Sequence, residues 1–253
     1  MKKKSLFTRA GALLLSLTML LPQVWAANAG QTKFQTYDSL ADNLTYTNTI
    51  TDHAILGREE SHLLEVEPGG SVYPITFQGD VTIYGSGTIN WAITQARKLG
   101  YNVIGAINSD FYSTRTGVPL GIVIEDGIYK SSPEDESAVV FTDGQAALVE
   151  SPQVSITLEN DVTGAVTSLT HFNKWRVNGN GLYLFSSDFS TVSTRTSGAG
   201  WMVKLRILEG EMTVNGTMKL EVAEAVEQDG AYPLEEGYLV LTADETSNLS
   251  EVF

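Results

Sequence analysis

The chain has 253 residues, enough for one large domain or two small ones, and 42% hydrophobic against 18% charged residues is the balance of a folded globular protein rather than a disordered one. The formal charge is −14, and losing the four cations Lys2, Lys3, Lys4 and Arg9 would take it to −18. Such an acidic chain is a poor nucleic-acid binder, and the absence of cysteine excludes thiol catalysis, thiolate metal sites and lipid attachment through a thioether.

In chain order, residues 1–26 read as a signal peptide. A basic start is followed by the apolar run AGALLLSLTMLLP and by a small residue, Ala26, at the cleavage position. The expected location is therefore secreted, extracellular or in a bacterial cell wall, with no membrane span after cleavage. Residues 27–50, rich in Thr, Asn and Ser, read as a polar linker, and 51–253 as a single domain. Within it, ESHLLEVEPGGSVYPITF predicts a strand, a Pro68-Gly69-Gly70 turn and a second strand.

Helical spacing of Ile89, Ala92, Ile93, Ala96 and Leu99 predicts a helix, capped by Thr88 or Asn90 and stopped at Gly100. A short buried strand is expected at 103–107, with the helix packed on its sheet. Asp126-Gly127 and Asp143-Gly144, each between apolar runs, predict hairpins. QVSITLEN, GLYLF, WMVKLRIL and GYLVLTAD supply further strands. The fold class expected is α+β, a largely antiparallel sheet with one or two packed helices.

The segment after 103–107 carries the chemistry. Asn108 can donate and accept hydrogen bonds, Asp110 can act as acid, base or ligand, Phe111 and Tyr112 offer flat faces to a sugar, and Arg115 offers a fork for phosphate. Gly117 and Gly121, either side of Pro119, let backbone approach a ligand closely. A second cluster, Asp188, Thr194, Arg195 and Thr196, reads as a solvated loop. His53, His62 and His171 show no metal spacing. No cofactor is required by this reading, and calcium at an Asp/Asn loop is compatible with it.

VIGAINSDFYSTRTGVPLGIVIEDG resembles the INGGFF…G.P.G..I.DG segment of the phosphodiester glycosidases, relatives of the lysosomal enzyme that removes N-acetylglucosamine from a phosphodiester. GLYLFSSDFSTVSTRTSGAGWMVKL and GYLVLTADE are similar to later segments of that family, so the likeness runs over roughly 53–253. It departs at the paired glycines, here Ser109 and Asp110, and it lacks up to Phe253 the Arg-Thr strand and the glycine-rich Asp loop. The resemblance implies hydrolysis of a sugar-1-phosphodiester in a glycan or sugar-phosphate polymer, with Asp110 and Asn108 as catalytic candidates. Arg115, Phe111, Tyr112, Gly117 and Gly121 become the binding candidates. It also implies a catalytic domain continuing past Phe253, with cell-wall anchoring through later modules. The alternative expectation is a non-catalytic glycan-binding or structural surface module of the same fold.

Overall fold

A computed structural model describes residues 30–78, 82–134, 136–142, 145–169, 171–176 and 181–243. The signal-peptide segment and the turn Asp143-Gly144 lie outside the described residues. The chain divides into two compact units, meeting at Pro74 and Ile75.

The first unit is a three-stranded antiparallel sheet of β1 (Gln31–Ala41), β2 (Leu44–His53) and β3 (Gly57–Val66), in that order. The segment expected to be a linker therefore forms β1 and most of β2. Its threonines suit an extended chain as well as a loop, which is why composition misled. The β1–β2 turn is tied to the chain after β3. The Asn43 amide donates to the carbonyls of Glu67 and Val72 at 2.6 and 2.8 Å, and its oxygen accepts from Val72 N–H at 3.0 Å. A side chain at Gly70 would lie 2.1 Å from Asn43 Cγ, so that turn admits only glycine. Beyond it, residues 71–77 form no strand, contrary to the pattern.

The second unit is built on a five-stranded sheet in the order β10-β11-β14-β12-β13. These strands are β10 (His171–Phe172), β11 (Tyr183–Phe185), β12 (Ala199–Glu209), β13 (Lys219–Asp229) and β14 (Tyr238–Ala243). β10 runs parallel to β11, and the other neighbours pair antiparallel. Successive side chains of a strand point to opposite faces, and here both faces are covered. Tyr183, Phe185, Met202 and Val240 pack with Ile83, Val118 and Phe189 on one side. Leu184, Val203, Leu205, Leu239 and Leu241 pack with Tyr129 and Phe172 on the other. Burial on both faces explains why LYLF and YLVL are continuous apolar runs rather than alternating ones.

Three two-stranded hairpins complete the set: β4 (Val123–Glu125) with β5 (Ile128–Ser131), β6 (Ala138–Thr142) with β7 (Gln145–Val149), and β8 (Ile156–Glu159) with β9 (Val166–Leu169). Asp126 and Gly127, at φ +50° and +80°, make the tight turn that the Asp-Gly signal calls for.

The α+β expectation is overturned. Fourteen strands and one helix are present among the described residues, so the protein is mainly β. The helix itself, α1 (Ile89–Lys98), forms as its spacing predicts. Thr88 Oγ1 accepts from Trp91 N–H at 3.2 Å, and Gly100 follows at φ +96°. Yet Ala96 is its one buried residue, so it adds no packed layer. The strand expected at 103–107 is absent too, and Ile104 and Ile107 are 40% and 76% exposed. Periodicity reports that an apolar stripe exists and is silent on what covers it.

In this core the Phe185 ring lies edge-on to Phe189, centroids 4.7 Å apart. Phe185→Ala is expected to cost about 3–5 kcal/mol in equilibrium denaturant unfolding. Val222→Ala, at an exposed position of β13, is expected to stay within about 0.5 kcal/mol of the parent.

Candidate functional site

Residues 110–121 form a tight, irregular hairpin. Leu120 N–H donates to Phe111 O at 2.9 Å and Ser113 N–H to Val118 O at 2.9 Å, with Thr116 and Gly117 N–H both returning to Ser113 O. Gly117 has φ +76°, and a Cβ there would sit 1.7 Å from the Gly85 carbonyl oxygen. The close approach made by Gly117 is thus to backbone of the same unit.

Gly121 serves the site more directly. Its N–H donates to both oxygens of Asp110, at 3.1 and 3.3 Å, and a Cβ would lie 2.9 Å from one of them. The absent side chain is the seat of the carboxylate. Asp110 is half-buried, and burial pushes its carboxyl above the usual range. The Gly121 N–H and the Lys174 cation oppose that shift, while Glu136 adds to it.

Lys174 is the residue that the sequence reading missed. Its side chain is 3% exposed, and its Nζ donates to three consecutive carbonyls, those of Pro119, Leu120 at 3.2 Å and Gly121 at 3.4 Å. The ammonium therefore fixes the turn whose last N–H holds Asp110. Burial pulls its pKa down to about 8, against the favourable charges of Glu134 and Asp110. The next residue, Trp175, lies under Arg115, whose guanidinium carbon is 4.3 Å from the ring centroid. Two segments, 110–121 and 173–175, thus meet through a lysine and a cation–π contact.

The remaining candidates are placed as follows. Asn108 is exposed, and its amide donates to the Asp110 backbone oxygen at 3.2 Å. Phe111 and Tyr112 are 74% and 47% exposed, as free faces would be. In the second cluster, Thr194 and Thr196 are buried with hydroxyls 2.9 Å apart, so they are structural and not a solvated loop. Arg195 lies over the Tyr84 ring, and Asp188 pairs with Lys130 at 3.1 Å. Among the described residues no group of three or more His, Asp or Glu side chains is arranged to hold a metal. Asp110 accepts from the Gly121 N–H, and the Lys174 charge acts on it without a direct bond.

No family model and no curated protein sequence matches the chain. Among solved structures it is similar to the crystal structure of a hypothetical protein from Synechocystis, with a TM-score of 0.58 at 15% identity. The match covers 87% of this chain and 38% of that one, so the chain spans well under half the length of that protein. At this identity the likeness concerns the fold alone.

The buried ammonium sets a pH dependence. A lysine whose pKa falls on folding leaves the unfolded chain holding more protons between about pH 8 and 10.5, so stability rises with pH across that window. Relative to Lys174→Met, the parent is expected to gain about 2 kcal/mol between pH 7.5 and pH 10 in denaturant unfolding. Comparing the two proteins cancels the opposite contribution of Tyr232, whose hydroxyl is pushed up to about 12. A gap that stays constant with pH would show that burial does not lower the Lys174 pKa.

Proposed function

We propose that the chain belongs to an exported hydrolase that cleaves a sugar-1-phosphodiester in a glycan or cell-envelope polymer. The observation that carries the reading is the Asp110 carboxylate, half-buried and raised in pKa, seated on the Gly121 N–H within the loop that also bears Arg115. A carboxyl biased toward its protonated form suits a proton donor to a leaving oxygen. Arg115 supplies the positive charge that an otherwise acidic protein needs to admit a phosphate. Phe111 and Tyr112 offer their exposed faces to the sugar, and Asn108 is within the same loop to bond its hydroxyls.

In this scheme the phosphodiester oxygens take the guanidinium hydrogens of Arg115. Asp110 gives its proton to the bridging oxygen as the bond to the anomeric carbon breaks. Water then adds to the anomeric carbon and its second proton restores the Asp110 carboxyl, releasing free sugar and a phosphomonoester. Lys174 acts through the backbone, holding the 119–121 carbonyls so that the Gly121 N–H keeps its aim.

A specific observation also favours the binding module as second reading. The Gly121 N–H already accompanies both carboxylate oxygens, so Asp110 serves a structural role even without turnover. Hydrolysis of an N-acetylglucosamine-1-phosphodiester separates the two. Asp110→Asn is expected to lower kcat by about 10²-fold or more and to remove the fall in rate above the Asp110 pKa. Arg115→Lys is expected to act mainly on KM. Turnover that survives both changes refutes the assignment, while sugar binding without turnover in the parent favours the module.

A further inference from the structure

A second site lies elsewhere in the same unit. A cavity of about 680 Å³ opens among the chain near Phe77, the C-terminal end of α1, the β4–β5 hairpin and the 187–191 loop. That volume is in the range of small-molecule sites. Phe77 and Tyr101 line it with rings 6.1 Å apart and nearly perpendicular, and the Lys130–Asp188 ion pair lines it with the hydroxyls of Ser187 and Thr191.

The ion pair is held from beneath by a residue that no surface contact explains. Asn173 is fully buried and takes φ +51°, a conformation asparagine tolerates better than most residues. Its amide donates to the Lys130 carbonyl at 2.8 Å and to Ser186 Oγ at 2.9 Å, while its oxygen accepts from Ser186 N–H at 2.9 Å. Ser186 Oγ in turn accepts from Asp188 N–H at 3.2 Å. One buried amide therefore fixes the strand bearing the lysine and the turn bearing the aspartate. Lys130 Nζ lies 3.1 Å from both Asp188 oxygens. Such support keeps both members of the pair fixed at the cavity wall, which a binding site requires.

Its charge selects the ligand. Asp126 and Glu236 also line the cavity, so acids exceed the one lysine there. A phosphate would be repelled, whereas vicinal hydroxyls can bridge a carboxylate and an ammonium, and an aromatic edge-and-face pair accepts the apolar side of a sugar ring. We infer that this cavity is a subsite for an uncharged glycosyl unit, separate from the Asp110 loop and unsuited to the phosphoryl group. The inference shares the saccharide chemistry of the proposed function and stands on different residues, so either can fail alone.

The probe is the uncharged β-linked trisaccharide of N-acetylglucosamine, followed by saturation-transfer NMR and calorimetry on the full chain, with inorganic phosphate as the counter-probe. The trisaccharide is expected to bind in the millimolar range and phosphate to leave its affinity unchanged. Tyr101→Ala is expected to weaken binding about tenfold, and Asp188→Asn to weaken it as well. Asp110→Asn is expected to leave this affinity intact while lowering phosphodiester turnover, which keeps the two sites distinguishable. Because Tyr101 is at the surface, circular dichroism of that variant is expected to match the parent. No saturation transfer from the trisaccharide, competition by phosphate, or affinity indifferent to both Tyr101→Ala and Asp188→Asn would overturn the proposal.

Discussion

Burying an amide, an ammonium and a guanidinium within four residues costs several kcal/mol unless each finds acceptors. Asn173, Lys174 and Arg176 are all buried, and their hydrogens are spent on the rest of the unit. Asn173 holds Lys130 and Ser186, and Lys174 holds 119–121. Arg176 reaches the Ala199 carbonyl at 2.9 Å and Thr242 Oγ1 at 3.3 Å. Gly200 completes the fit, because a Cβ there would come within 2.8 Å of that guanidinium. The 119–121 turn, the β4–β5 hairpin and the interior strands β12 and β14 are registered to one another through this polar strip. The apolar packing on either face of β11, β12 and β14 supplies the driving force but little of that directional information.

The strip also divides its labour. Lys174 serves the turn under Asp110, while Asn173 serves the Lys130–Asp188 pair, so adjacent residues of one short segment reach two different surfaces. The two proposed sites are thereby supported by neighbouring residues and differ in polar character. The Asp110 loop carries Arg115 and a carboxyl whose pKa burial raises, while the cavity near Phe77 carries an excess of acid and a pair of rings.

Some of this was legible in the residues alone. Asp126-Gly127 announced its hairpin, and Thr88 with Gly100 bracketed α1, because caps and tight turns are local and depend on few neighbours. The 103–107 strand failed for the opposite reason, since an apolar run is only a strand when something pairs with it. β13 passed unnoticed because its residues alternate Glu with Val and Ala along a largely exposed strand, which weakens the apolar signal. At the site, Asp110 and Gly121 were singled out separately, but their contact spans eleven residues and was invisible in spacing. Lys174 stood in the mixed run HFNKWR, where polar residues flank Phe172 and Trp175, a pattern unlike the apolar-to-polar break at Asn108. Charged side chains are so commonly solvated that a lysine there gave no hint of being buried.

The enclosure of Lys174 has a chemical corollary. An amine whose proton is lost near pH 8 is a far better nucleophile at mild alkalinity than an ordinary lysine, yet three carbonyls and the surrounding core wall it off from dissolved reagents. Acylating agents will find it only when the 119–121 turn swings away. Acylation of Lys174, set against that of surface lysines, would therefore report the breathing of that turn.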